Sequence, residues 1–159
     1  MMKSADIRWA HKKDYTQLGH VMFDAVHNGP SLYREAQKTA WVPVPRSGKD
    51  WEDRLGTQAV ILAESSDQIT GFMSLAPKGY IGFAYIRPSA QGSGLFKRLY
   101  KEIEQRAIEE GIERLWVHAS LMAQPAFAAV GFAIIEEQTI DVLGQSIERY
   151  EMQKLLGER

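Results

Sequence analysis

The residues with the clearest chemical potential lie in the segment Gln-Gly-Ser-Gly-Leu-Phe, which runs from Gln91 to Phe96. An apolar run precedes this segment and an amphipathic run follows it, which predicts a turn from a strand into a helix. The first N–H groups of a helix lack partners within the helix and lie at the positive end of its dipole, so they attract anions. Gly92 and Gly94 have no Cβ, so a ligand can approach their backbone closely. The segment therefore predicts a site where main-chain amides bind a phosphate-bearing ligand.

The spacing of this segment excludes two common phosphate-binding motifs. A P-loop needs Lys followed by Ser or Thr directly after its last glycine, whereas Leu95 and Phe96 follow Gly94. The dinucleotide motif G-x-G-x-x-G needs a third glycine, and Lys97 occupies that position. The remaining pattern is Gln-x-x-Gly-x-aromatic. By itself it leaves open both a ligand site and a simple turn.

Length and composition limit the class of protein. A chain of 159 residues predicts a single domain, residues 1–159, that is large enough to bury one core. The formal net charge of −1 argues against nucleic acid or an anionic membrane as the main partner. The absence of cysteine fits a reducing compartment and excludes an acyl-cysteine intermediate. We find no signal-peptide core and no bilayer-spanning run, so we expect a cytoplasmic protein.

The elements that must position the glycine segment follow from hydrophobic periodicity and from turn residues. We expect strands at 7–9, 58–64, 69–75, 80–87, 115–119, 132–142 and 146–154, and helices after Asp14, at 33–40, at 50–55, after Gly94 and at 123–130. Asp14 is predicted to be the N-cap of the first helix. The nearly continuous apolar character of 80–87 favours burial on both faces.

The helix after the glycines should connect two parallel strands. Leu95, Leu99, Ile103 and Ala107 form one apolar stripe at helical spacing, so this helix is predicted to pack on the sheet. A strand, a right-handed crossover helix and a second strand imply parallel neighbours. The strand before the glycines and the strand after the helix are therefore expected to lie side by side.

A second motif accompanies the glycine turn, and together the two resemble the GNAT superfamily of N-acetyltransferases. Gln91 and Gly94 match that family's Q/R-x-x-G-x-G/A acetyl-CoA motif. Ala123, Gly131 and Phe132 match its N-x-x-A-x-x-(F/L)-Y-x-x-x-G-F signature at the right spacing. The order of elements matches the family across nearly the whole chain. A finer resemblance, to a YafP-like bacterial subgroup, lies in residues 31–44.

The resemblance implies a fold and an activity. The fold is α+β, with a mixed, mostly antiparallel sheet, helices on both faces and a parallel pair formed by the fourth and fifth strands. The activity is transfer of an acetyl group from acetyl-CoA, the acyl-donor substrate, to a primary amine, with no metal. The acceptor is expected to be a small-molecule or peptide amine. Pairing of two copies through the C-terminal hairpin is an expectation by analogy alone.

The resemblance also assigns site residues. The predicted acetyl-CoA-binding residues lie in the glycine loop or beside the gap between the parallel strands: Ala84, Tyr85, Ile86, Gln91, Gly92, Ser93, Gly94, Leu95, Phe96, Ser120 and Phe127. The catalytic candidates are His118, Ser120 and Tyr85. His118 has the intrinsic pKa of a base, and Ser120 can donate a proton. A backbone N–H near Tyr85 or Ile86 is expected to stabilise charge on the thioester oxygen, and Tyr80 and Tyr85 are candidates to orient a water.

Three departures from the family pattern leave other functions open. Phe96 replaces a small residue, Ser120 replaces a common asparagine, and Phe127 replaces a tyrosine that protonates the leaving thiolate in many members. Because a phenyl ring has no proton to give, a non-catalytic acyl-CoA-binding module is an alternative, and an interaction domain whose loop binds nothing is another. For an enzyme without cysteine, direct attack in a ternary complex is favoured. The segment 27–55 carries no recognisable acceptor code, although Tyr33, Trp41 and Trp51 are candidates to line the acceptor side.

Overall fold

The computed structural model describes residues 5–157 and shows the expected α+β fold. Its elements, in chain order, are β1 (Asp6–Trp9), α1 (Tyr15–Asn28), α2 (Glu35–Trp41), α3 (Lys49–Gly56), β2 (Ala59–Ser65), β3 (Gln68–Leu75), β4 (Tyr80–Ile81), β5 (Ala84–Ile86), α4 (Leu95–Glu109), β6 (Arg114–Ser120), α5 (Gln124–Ala129), β7 (Ala133–Val142) and β8 (Gln145–Leu155). Apart from the strand predicted over 80–87, the ends of the predicted elements agree with these within two residues. No helix in the described part of the chain is long and apolar enough to cross a bilayer.

The strands form two four-stranded sheets, ordered β1-β2-β3-β5 and β4-β6-β8-β7. Within residues 5–157, β4 and β6 form the only parallel pair, with Tyr80 opposite Trp116 and Ile81 opposite Val117. The expected parallel neighbours are therefore present, but the pair is β4 and β6 rather than the fourth and fifth strands. The numbers of the paired strands differ because the single strand predicted over 80–87 is split into β4 and β5.

Side chains of the first sheet hold this split in place. The Ser74 N–H donates to the Phe83 carbonyl at 2.9 Å, and the Phe83 N–H donates to Ser74 Oγ at 2.9 Å. Ser74 Oγ in turn donates to Gln58 Oε1 at 2.6 Å. A Cβ on Gly82 would collide with that same Gln58 oxygen, so a side chain there would displace Gln58. The hydroxyl of the fully buried Ser74 thus accepts the Phe83 N–H, which would pair with a neighbouring strand if residues 80–86 formed one regular strand.

The core consists of two clusters rather than the single core expected from chain length. One cluster lies under α4 and contains its predicted apolar stripe, Leu95, Leu99, Ile103 and Ala107, all buried. The other lies under α1 and α3 and is centred on Phe72 and other aromatic side chains. The sheets therefore carry helices on both faces, as predicted.

Asp14 occupies the N-cap position of α1, as predicted, but its side chain does not cap the helix. Its carboxylate makes no cap hydrogen bond to α1. Instead it accepts two hydrogen bonds of 2.9 Å from the Arg8 guanidinium and one of 2.7 Å from the His11 N–H. Asp14 is buried, and the bonds from Arg8 hold its pKa below the usual carboxyl range. The ion pair ties β1 to the start of α1, an attachment that sequence periodicity cannot reveal.

We expect Asp14→Asn to lower the free energy of unfolding by about 1–3 kcal/mol at pH 7, because Arg8 loses a charged, buried hydrogen-bond partner. A folded-state pKa below the unfolded value gives stability that is present above about pH 4 and lost as the pH falls further. Urea unfolding should therefore show the gap between parent and variant narrowing in acid. Asp6→Asn, at an exposed strand position, is the control. A gap that stays constant between pH 7 and pH 3 would contradict this account.

Candidate functional site

A cleft of about 460 Å³ opens where β5 and β6 diverge. Most of the predicted binding residues line it: Ala84, Tyr85, Ile86, Gln91, Gly92, Gly94, Leu95, Phe96 and Ser120. Ser93 and Phe127 do not, and neither does His118. Because the cleft lies beside β5, its residues are only half-buried, so the expectation of burial on both faces is wrong for 84–86.

The glycine turn presents main-chain donors to open space. Gly92 and Gly94 adopt left-handed conformations, with φ of +77° and +80°, and Gly94 is the N-cap of α4. A Cβ at either position would have nothing within 4 Å. Among residues 5–157, no acceptor receives a hydrogen bond from the N–H groups of 92–96. The turn therefore combines unpaired amides, a helix N-terminus and room for an anion.

The backbone alternation of β5 decides which amides face the cleft. Phe83 and Arg87 direct their backbone groups to β3, as the bonds from Ser74 N to Phe83 O and from Arg87 N to Thr70 O show. Tyr85 has the same parity, so its N–H also faces β3. The N–H groups of Ala84 and Ile86 therefore face the cleft. Of the two oxyanion donors considered from sequence, this geometry favours Ile86.

Gln91 and Phe96 fix the two ends of the glycine turn. Gln91 Nε2 donates to the Ile86 carbonyl at 3.1 Å, which ties the turn to β5. The Phe96 ring meets Phe127 edge-to-face with centroids 5.0 Å apart, and Phe127 meets Phe132 in the same way at 5.1 Å. Since Phe127 is 1% exposed, this side chain belongs to the core under α4 and is not positioned to touch a ligand.

A polar network lies on the face of the second sheet opposite α4. The Tyr80 hydroxyl is 3.0 Å from His118 Nδ1, and His118 Nε2 is 3.7 Å from Glu151 Oε1. Cross-strand register places His118 opposite Glu151 and Ser120 opposite Arg149, so these residues share one face. Ser120 lies two residues beyond His118, on the same face and at the edge of the cleft. Ser120 therefore connects this face to the cleft, whereas His118 lies behind it and does not line the cleft.

The environment sets the protonation states of this network. Burial lowers the pKa of His118, the Arg149 cation lowers it further, and Glu151 opposes the shift. Burial raises the pKa of Tyr80. At neutral pH the imidazole is therefore uncharged and able to accept a proton, while the phenol carries one to donate.

The remaining catalytic candidates have distinct roles in the fold. Ser120 Oγ accepts the Ala123 N–H at 3.1 Å, which caps the turn after β6 and leaves the hydroxyl proton free to be donated. Tyr85 lines the cleft, packs 6.2 Å from the Trp41 ring and has its pKa raised by burial. A phenol in that state is not a base at neutral pH.

The segment before β2 contributes one wall of the cleft. Trp41 lines it, whereas Trp51 is buried and donates to the Tyr15 carbonyl at 2.7 Å as part of the core. The Tyr33 hydroxyl accepts the Leu121 N–H at 3.0 Å and anchors this segment over the end of β6. Sequence reasoning missed the cleft residues at the end of α1, Ala25, Val26 and Pro30. Their types carry no chemical signal, and only the tertiary packing of α1 places them there.

Metal chemistry has no evident ligand set here, since no group of three or more His, Asp or Glu side chains within 5–157 is arranged to hold an ion.

The chain is similar to acetyltransferases by sequence. Residues 14–156 match a family model described as an acetyltransferase (GNAT) domain. The chain is 28% identical over 144 residues to a protein described as uncharacterized N-acetyltransferase YafP of Escherichia coli strain K12, with 90% of this chain and 91% of that protein covered.

Solved structures show the same fold. A GCN5-related N-acetyltransferase from Rhodopseudomonas palustris superposes with a TM-score of 0.87 at 23% identity, covering 98% of both chains. The acetyltransferase yncA from Salmonella typhimurium, solved with acetyl-CoA, gives a TM-score of 0.70 at 18% identity and covers 99% of this chain and 96% of that one. A phosphinothricin acetyltransferase from Sinorhizobium meliloti, also solved with acetyl-CoA, gives 0.74 at 20%, covering 98% and 90%.

NMR titration should give a pKa for His118 below the reference value of about 6.5. Arg149→Gln should raise this pKa because it removes a nearby cation, and Glu151→Gln should lower it because it removes the opposing carboxylate. Arg106→Gln, on the exposed side of α4, is the charge-matched control and should leave it unchanged. A value above the reference in the parent, or no response to Arg149→Gln, would show that this electrostatic account is wrong.

Proposed function

The chain belongs to the GNAT acetyltransferase family, and from this premise we propose that it transfers the acetyl group of acetyl-CoA directly to the primary amine of an acceptor bound in the same cleft. This proposal rests mainly on the unpaired backbone amides of residues 92–96, which lie beside the gap between β5 and β6. Acetyl-CoA is the acyl-donor substrate in this proposal, which the similar structures solved with acetyl-CoA support.

The donor end of the site is built mainly from backbone. The amides of 92–96 and the positive end of α4 offer hydrogen bonds and charge complementarity to the diphosphate. The gap between β5 and β6, lined by Ala84, Ile86 and Ser120, offers room for the pantetheine arm. The Ile86 N–H is available to the thioester oxygen, where negative charge grows during attack.

The acceptor amine must lose a proton before it attacks. An alkyl amine with a pKa of about 10.4 is neutral in only roughly one molecule in a few thousand at pH 7. We assign the proton relay to Tyr80 and His118: the phenol accepts the amine's proton through an intervening water as it passes its own proton to Nδ1. Glu151, 3.7 Å from Nε2, stabilises the imidazolium that forms. His118 and Tyr80 thus act as a pair, as in other base-activated sites.

The leaving thiolate needs less help than the amine. A thiol pKa near 8.5 makes the thiolate a tolerable leaving group, so the phenyl ring at Phe127 does not forbid the reaction. Ser120 is the hydroxyl that lines the cleft at the end of β6 and has a proton to give. We assign it the role of donor to the departing sulfur.

CoA should stabilise the parent by about 2.7 kcal/mol at a hundred times its dissociation constant. Gly94→Val should reduce this gain below about 0.4 kcal/mol, because the new side chain fills the open space that the diphosphate needs. Gly111→Val is a matched control, since Gly111 has φ of +76° and nothing within 4 Å of a built Cβ. Both variants carry a backbone cost of about 1–2 kcal/mol, so thermal shifts are compared with and without CoA. An unchanged CoA-induced shift in Gly94→Val would contradict the assigned site.

Tyr80→Phe and His118→Gln should each lower kcat/KM about 10²- to 10⁴-fold with an unchanged dissociation constant for acetyl-CoA, because each interrupts the relay. His118→Gln should also remove the acid-side inflection from the pH profile of kcat. Tyr15→Phe, at the start of α1, is the control for loss of a phenol hydroxyl. Full activity in both relay variants would overturn the assignment. Tight CoA binding by the parent with no transfer to any amine would favour the acyl-CoA-binding module.

A further inference from the structure

The arginines of the described chain differ in whether a carboxylate neutralises them. Carboxylate oxygens lie 2.9–3.8 Å from the guanidinium groups of Arg8, Arg87, Arg106 and Arg114. Within residues 5–157, no such pair is formed by the remaining arginines, Arg34, Arg46, Arg54, Arg98 and Arg149. Of these, Arg46 and Arg54 lie within electrostatic reach of the Tyr85 phenol, which lines the cleft, and Arg54 and Arg149 lie within reach of Tyr80. We call Arg46, Arg54 and Arg149 the acceptor-side arginines.

Arg46 is the least satisfied of the three. Its Nη2 donates to the Trp41 carbonyl at 2.9 Å, but its Nε is buried and has no hydrogen-bond partner in the described chain. Burial lowers the pKa of Arg46, and the nearby Arg54 cation adds to that shift. Arg46 is also within electrostatic reach of the Tyr85 phenol, which lines the cleft. A buried donor on a cation without an acceptor is costly, so an anion bound by the rest of the Arg46 guanidinium would offset part of that cost.

Arg54 and Arg149 border the same region from two other elements. The Arg54 guanidinium lies over the Phe83 ring, 5.0 Å from its centroid, and is otherwise exposed. Arg149 lies opposite Ser120 in the β6–β8 register and so shares its face at the edge of the cleft. Its Nε donates to Gln138 Oε1 at 2.9 Å, a neutral partner that leaves the charge uncompensated. Cations from the α2–α3 connection, from α3 and from β8 thus surround the Tyr80 and Tyr85 phenols beside the cleft.

Two carboxylates share this face: Glu151, and Glu136, which lies opposite Glu151 in the β7–β8 register. Glu151 lies beside His118 and is shared with Arg114 at 3.8 Å. An acceptor that carried only an ammonium group would meet three uncompensated arginines and be repelled by them. An acceptor with an ammonium and an anion would match both features.

We propose that the acceptor is a small amine that also carries an anionic group, a carboxylate or a phosphoryl group, and that Arg46 and Arg54 bind this anion while the amine faces Ser120 and the Tyr80–His118 pair. Arginine suits this role because its planar fork binds carboxylate and phosphate oxygens in pairs. Arg149 contributes charge at the edge of the cleft. The inference rests on the proposed acetyl transfer and names the acceptor class for the same site.

The test compares amines that differ only in the anion. Three pairs are suitable: lysine with cadaverine, phenylalanine with phenethylamine, and phosphoethanolamine with ethanolamine. In at least one pair, kcat/KM for the anionic member should exceed that of the neutral member at least tenfold. The amino-acid pairs and the phosphoryl pair then distinguish a carboxylate from a phosphoryl acceptor.

The arginine variants show whether these side chains cause the preference. Arg46→Gln and Arg54→Gln should each raise KM for the preferred anionic amine at least tenfold, with little change in KM for acetyl-CoA or in activity on the neutral partner. Arg54 is exposed, so Arg54→Gln is expected to fold and can test the role of the arginines even if Arg46→Gln folds poorly. Arg106→Gln removes a charge from the far side of the molecule and should keep the parent's preference.

Two outcomes would overturn the inference: equal kcat/KM for both members of every pair, or an anion preference that survives both arginine substitutions. If the parent acetylates no amine, the binding of anionic amines to the CoA-bound parent tests the acceptor class independently of the transfer. A thermal shift of the CoA-bound parent by an anionic amine, lost in Arg46→Gln, would support the acceptor class while contradicting the proposed transfer. No shift by any anionic amine would overturn the acceptor class as well.

Discussion

The site depends on one constraint, the interruption of a strand at Gly82 and Phe83. If residues 80–86 continued as one regular strand beside β6, the backbone groups of Ala84 and Ile86 would be used in sheet pairing and no cleft would exist. Ser74 prevents this by accepting the Phe83 N–H, and Gln58 holds Ser74 in place. The interruption converts backbone that would be paired into backbone that can bind a ligand.

The second consequence of the interruption is a division of the core. Once β5 leaves β6, each sheet needs its own helical cover. The apolar stripe of α4 covers one cluster, and α1 and α3 cover the other. The cleft lies where the two clusters separate, which explains how an interior position near Tyr85 can be both surrounded by aromatic rings and open to a ligand.

The parts of the fold that follow local rules could be predicted from the sequence. The apolar stripe on α4, the two C-terminal strands and the glycine turn that leads into α4 each have a local cause, and the structure has them where expected. The resemblance to the GNAT family is confirmed by the family match. The split at Gly82 was not predicted, because an apolar run gives no sign of an interruption held by Ser74, a residue on another strand. The N-cap position of Asp14 was predicted correctly, but the bonding of its carboxylate was not, because its partner Arg8 lies on another element and an acidic residue before a helix is ordinarily a cap.

The two ends of the cleft differ in whether backbone or side chains form the proposed contacts. The donor end consists of amides, so its signal in the sequence is a pattern of glycines, which report where a backbone must be exposed. In the proposed site, the acceptor end uses arginines from the α2–α3 connection, α3 and β8, and Arg46 and Arg149 lie more than a hundred residues apart along the chain. No spacing rule links Arg46 to Arg149. Only the folded chain brings Arg46, Arg54 and Arg149 within electrostatic reach of Tyr80 and Tyr85. The donor end is built from backbone, so it does not depend on which side chains form the acceptor end. The sequence therefore indicates the acyl carrier, whereas the structure is needed to infer which molecule receives the acetyl group.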